Sequence, residues 1–141
     1  MSVAHPSDDF GLTIYDYGGN VDEKIFKGRT KKFGLNIIHL VESLPKTRTA
    51  DVIGRQLLRS ATSIGANYRV VCRAKSPADM INNLKVVEEE GDETLYWLEL
   101  LGESGPVPQA QLLPLAKEGD ELLSMTVASI KTLRAKTNRQ S

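Results

Sequence analysis

Four stretches of this chain place apolar residues at steps of three and four, the spacing that gathers them on one side of a helix. In the first, Ile25, Phe26, Phe33, Ile37, Leu40, Val41 and Leu44 recur between about Asp22 and Ser43. Asp22 suits an N-cap, and Leu44-Pro45-Lys46 ends the stretch because the residue before proline is driven out of the helical region. The second runs from Thr49 to about Lys75, with Asp51 in its first turn and Ile53, Leu57, Ser60, Ile64, Asn67 and Val71 on a bundle-like seam. At ~1.5 Å per residue such a helix is about 40 Å long, which favours rods packed side by side.

The third stretch has the clearest start. In Ser76-Pro77-Ala78-Asp79 a capping serine precedes a proline at the first helical position, and an acid stands three residues after the cap. Met80, Leu84, Val87, Gly91, Leu95, Leu98 and Leu101 form its apolar face, and Gly102 and Gly105-Pro106-Val107-Pro108 close it. The fourth runs from about Gln109 to about Lys136 through Leu112, Leu115, Ala116, Leu122, Leu123, Val127, Ile130 and Leu133. Pro114 bears on where it begins, because proline is tolerated only in a first turn. Short connectors make neighbouring helices antiparallel. The expectation is an all-α, up-down antiparallel four-helix bundle over residues 22–137. An extended arm, residues 1–21, precedes it, and residues 138–141 fray.

Glycines interrupt every stretch, each at a cost of ~1 kcal/mol relative to alanine unless another backbone approaches there. Gly54, Ala61 and Gly65 share one face of the second helix, which marks a close-packing surface within or between subunits. Asn67 falls on the apolar seam, where a buried amide would fix register or oligomeric state.

The 141 residues hold 18 basic and 18 acidic side chains, a neutral total that conceals strong segregation. Residues 22–75 carry twelve Lys and Arg against four acids, and residues 76–121 carry eleven acids against two Lys. Arg55, Arg59, Arg69 and Arg73 run along the second helix at alternating steps, a stripe able to hold a row of phosphates. Lys24, Lys27, Arg29, Lys31 and Lys32 add to it from the first helix. The competing reading is internal, with the stripe consumed by Glu89, Asp92, Glu99 and Glu103 of the third helix.

Nothing in the sequence points to catalysis. His5 and His39 are isolated, and the single cysteine, Cys72, has no acid or histidine three or four positions away, which suits a packing role and a reducing cytoplasm. The acidic run Glu88 to Glu93 lacks the Glu-x-x-His pairs of a di-metal bundle. No metal or other cofactor is expected, nor is a secretion signal or membrane span visible.

Two blocks carry a resemblance. The first is Leu44-Pro45-Lys46 followed by Gln56-Leu57-Leu58-Arg59-Ser60-Ala61-Thr62-Ser63-Ile64-Gly65-Ala66-Asn67-Tyr68. The second is Glu88-Glu89-Glu90-Gly91-Asp92-Glu93-Thr94-Leu95-Tyr96-Trp97-Leu98-Glu99-Leu100-Leu101. Together they resemble the four-helix-bundle proteins encoded in intervening sequences of bacterial 23S rRNA genes, a family similar to the accessory variability proteins of diversity-generating retroelements. The resemblance implies a homopentameric, barrel-like ring. In the retroelement branch it also implies a basic surface for RNA or DNA and a reverse transcriptase as partner. Many members end the first block in Asn-Ile-x-Glu-Gly, whereas here Asn67 precedes Tyr68-Arg69-Val70-Val71-Cys72-Arg73, a more basic continuation. The expected function is therefore that of a non-enzymatic homo-oligomer whose basic faces on the first two helices contact nucleic acid. Gly54, Ala61, Gly65, Asn67, Tyr96 and Trp97 would serve packing or assembly. The rival expectation is a structural, protein-binding bundle that holds no nucleic acid.

Overall fold

The computed structural model describes residues 21–140, and within them four α-helices run antiparallel in sequence order: α1 (Val21–Glu42), α2 (Arg48–Cys72), α3 (Pro77–Ser104) and α4 (Gln109–Gln140). The expected arm over residues 1–21 lies outside the described residues, apart from Val21, which opens α1. Each helix packs on its neighbours in a square, α1 on α2, α2 on α3, α3 on α4 and α4 back on α1, and among the described residues no backbones approach closely across a diagonal. The α1–α2 and α3–α4 sides are therefore opposite sides of the bundle.

The caps follow the local chemistry. Thr47 caps α2, which begins at Arg48 rather than Thr49: its hydroxyl accepts from the Ala50 amide at 3.2 Å, and Asp51 stands in the first turn as expected. Ser76 caps α3 through the Asp79 amide at 3.1 Å, with Pro77 behind it. Gly105 ends α3 at φ 95°, a left-handed conformation that glycine adopts without a Cβ penalty. Helix α2 stops at Cys72 rather than Lys75, where the Arg73 amide turns back to the Val70 carbonyl. Pro114 sits six residues into α4 without breaking it. Both Pro114 and Ala110, whose carbonyl loses its helical donor there, are exposed, so water takes the missing bond.

The core lies between the four rods. Phe26, Phe33 and Ile37 of α1 and Leu57, Ile64 and Tyr68 of α2 meet Leu84, Leu98, Leu101, Leu122 and Leu133 from the other two, all nearly inaccessible. Each large apolar side chain buried in this way contributes roughly 1.5–3 kcal/mol. Two expectations fail here. Ile25 is 41% exposed because its neighbour Phe26 takes the inward position, edge-on to Tyr68 at 4.6 Å between centroids. Asn67 is only half-buried and donates to the Ser63 carbonyl of its own helix at 2.8 Å, while Tyr68 occupies the seam. Asn67 therefore makes no register-fixing contact within the chain.

That task falls to hydroxyls. Ser60 and Thr94, both fully buried, face each other across α2 and α3 at 2.9 Å. The glycines of α2 admit α1 and the turn after it: a Cβ on Gly54 would stand 3.4 Å from Val41 of α1 and 3.2 Å from Leu44 just beyond it, and one on Gly65 would stand 3.3 Å from the Thr30 hydroxyl. Ala61 is fully buried on the same helix.

Candidate nucleic-acid interface

The cations of the first two helices divide into two sets. Arg29 is consumed across the bundle, donating to Glu118 at 3.0 and 2.6 Å and to Glu121 at 3.0 Å, and so ties α1 to α4. The Glu118 bond, first among several, raises its pKa above the usual guanidinium value. Arg55 pairs with Asp51 one turn earlier at 3.0 Å, both side chains well exposed. Arg59 reaches α3, where it bonds Glu93 and approaches Glu90 Oε1 at 3.5 Å. The second set, Lys24, Lys27, Lys31, Lys32, Arg69 and Arg73, is exposed and makes no ion pair among the described residues.

The internal reading held for one arginine of the stripe, yet with different acids. Glu89, Asp92, Glu99 and Glu103 turn away from α2, and Glu90 and Glu93 face it instead. Glu93 also accepts from Trp97 Nε1 at 3.0 Å; that bond, with the Arg59 guanidinium, holds its carboxyl below the usual carboxylate range. Burial pushes Glu90 the other way, and its buried Oε1 lacks a hydrogen bond. Trp97 is half-buried beneath Tyr96, which is 51% exposed and edge-on to it at 5.1 Å.

The arginine stripe is therefore split. Arg59 leans toward α3, and Arg69, on the other flank of α2, lines a groove shared with α1. That groove, about 330 Å³, runs past Lys27, Thr30, Lys31, Gly34, Leu35 and Ile38 on one wall and Thr62, Gly65, Ala66 and Arg69 on the other. Its floor is low because Gly34 and Gly65 let the two backbones approach, Thr62 lying 3.8 Å from a Cβ placed on Gly34. Lys27, Lys31 and Arg69 thus stand around one trough, with Arg73 a turn beyond Arg69. Lys32 opens on the opposite, α4 side of α1, beside Ile25, Arg29 and Glu118. Sequence spacing missed the trough's apolar members, Leu35 and Ile38, which are 47% and 36% exposed. Their position off the core stripe was the available signal.

Cys72 is half-buried, and desolvation, helped by a hydrogen bond with Glu23, pushes its thiol up to about 12. Such a thiol stays protonated and unreactive at neutral pH. Among the described residues no group of three or more His, Cys, Asp or Glu side chains converges as a metal site would, and no helix is long and apolar enough to cross a membrane.

Fold and surface thus define a helical-bundle protein with a basic trough on one side. The model of the 23S rRNA-intervening sequence protein family matches residues 23–128, and the chain belongs to that family. Among solved structures it is similar to a protein of unknown function from the S23 ribosomal protein family of Bacteroides thetaiotaomicron, with 34% identity and a TM-score of 0.72 over 77% of this chain and 97% of that one. No curated protein matches it.

Proposed function

We propose that this chain is a non-enzymatic, self-assembling RNA- or DNA-binding protein that grips the phosphate backbone through the α1–α2 trough. The observation that carries this reading is the separation of the cations. Arg29, Arg55 and Arg59 spend their charge on acids of the same chain, whereas Lys27, Lys31 and Arg69 line one groove, with Arg73 a turn beyond, and none of these four makes an ion pair among the described residues. Phosphates are the common polyanion that repeats at the spacing of such a row, and the family's association with an rRNA gene supports the same choice.

Fluorescence anisotropy with a labelled short RNA and the matching DNA tests it. The logarithm of the affinity should fall linearly with the logarithm of salt concentration, with a slope of roughly 0.7–0.9 per phosphate neutralised. Lys27→Glu with Arg69→Glu should abolish binding while helical content is retained. Arg55→Glu should change it little, because that charge is already paired. Absence of binding at low salt rejects the reading and leaves a bundle whose surface serves protein contacts. Arg59 favours that second reading locally, being held by Glu93 and Glu90.

A further inference from the structure

We propose that the segment Asp8 to Asp16 of this chain seats in its own α1–α2 trough and competes there with nucleic acid. The competition rests on the phosphate reading above, whereas the seating of the segment does not. Residues 1–20 lie outside the described residues, and the family match begins only at residue 23, so the segment stands outside the shared part of the chain. Its sequence is the complement of the trough. Residues 1–20 hold Asp8, Asp9 and Asp16 and no Lys or Arg. Alternation puts Phe10, Leu12, Ile14 and Asp16 on one face of an extended segment, an apolar row that ends in an acid.

The trough has the same order. Gly65 faces Thr30, so Lys27, a turn before Thr30, and Arg69, a turn after Gly65, share one level near the start of α1. The exposed Leu35 and Ile38 follow farther along. The tether agrees in direction. A chain that continued the line of α1 backward from Val21 would leave the end of the bundle, but Gly18-Gly19-Asn20 is composed for a reversal. After it Asp16 comes first, at the level of Lys27 and Arg69, and Ile14, Leu12 and Phe10 lead on toward Leu35 and Ile38. Extended at ~3.3 Å per residue, Phe10 to Asp16 covers about 20 Å. Lys27 to Ile38 covers about 17 Å of α1 at ~1.5 Å per residue. The other grooves repel an acidic segment. Glu118 lines the one on the far side of α1, where Arg29 is already paired, and Glu99, Glu103 and Asp120 line the one between α3 and α4.

Leu12→Cys with Leu35→Cys, made in the full chain with Cys72→Ala, tests the seating. Mild oxidation should close a disulfide within one copy, a faster band of monomer mass on a non-reducing denaturing gel. Leu12→Cys with Leu113→Cys, across the bundle, should close none. The locked chain should lose its binding of a labelled short RNA, and reductant should restore it. Asp16→Asn with Leu12→Ser should free the trough without adding a base. If the segment covers the trough in about nine copies of ten, RNA affinity then rises about tenfold at unchanged helical content. Failure of the bond between positions 12 and 35, a bond of dimer mass, or equal bonding to position 113 overturns this inference and leaves the phosphate reading standing. So does an RNA affinity that neither the lock nor the freeing variant moves. Absence of RNA binding by every form at low salt, the freed variant included, rejects the phosphate reading instead and removes the competition with it.

Discussion

Glycine marks where single residues decide this fold. A Cβ on Gly119 would press on the buried Phe33 ring and on Leu95 at 3.2–3.3 Å, whereas one on Gly28 would meet nothing within 4 Å. Gly119→Ala should therefore destabilise the protein by about 1–3 kcal/mol despite its better helix propensity. Gly28→Ala should stabilise it by up to about 1 kcal/mol, and chemical denaturation of the two variants checks both signs. Cys72 gives a pH dependence. Its folded pKa of about 12 lies above its ordinary value, so the unfolded chain releases the proton first as pH rises. The stability this thiol contributes is intact below about pH 8.5 and declines from there to about pH 12. Tyr68, also raised by burial, adds to the decline at the upper end. Cys72→Ala should flatten the first part of that curve in denaturation at stepped pH, and alkylation of the native thiol should stay slow until strongly alkaline pH.

Among the elements, α1 has the weaker of its two attachments on the α4 side. Its packing there rests on Phe33 against Gly119, and its polar link on Arg29 with Glu118 and Glu121. Arg29→Ala should cost roughly 1–2 kcal/mol, since it removes charged hydrogen bonds that are partly shielded from water. Hydrogen exchange should quicken in α1 before it does in α2 or α3. The helices themselves were legible in the sequence because many side chains repeat the same period, so that one misplaced residue such as Ile25 does not hide it. Ser76-Pro77 and Gly105 fixed the boundaries of α3 by cap chemistry alone. Other details depend on how each helix is rotated about its axis. Glu90 and Glu93 stand one position from the acids that spacing singled out, and that single position is the difference between facing α2 and facing α4.

At the scale of the molecule, the segregation of charge along the chain becomes a segregation across the bundle. Antiparallel topology puts the basic helices α1 and α2 on one side and much of the acid of α3 on the other. The sequence displayed the two charge blocks. It could not display the trough, because it is made by residues roughly 25 to 40 positions apart in the chain that meet only when two helices settle at a particular rotation and depth. Leu35 and Ile38 escaped attention for the same reason, since an exposed apolar side chain has meaning only beside its neighbours. A rod with a positive flank and a negative flank carries a dipole across its width. In the field of any charged body it turns before it touches, so productive orientations are selected during the approach. Added salt should therefore slow encounters more than it shortens the lifetime of contacts once they form.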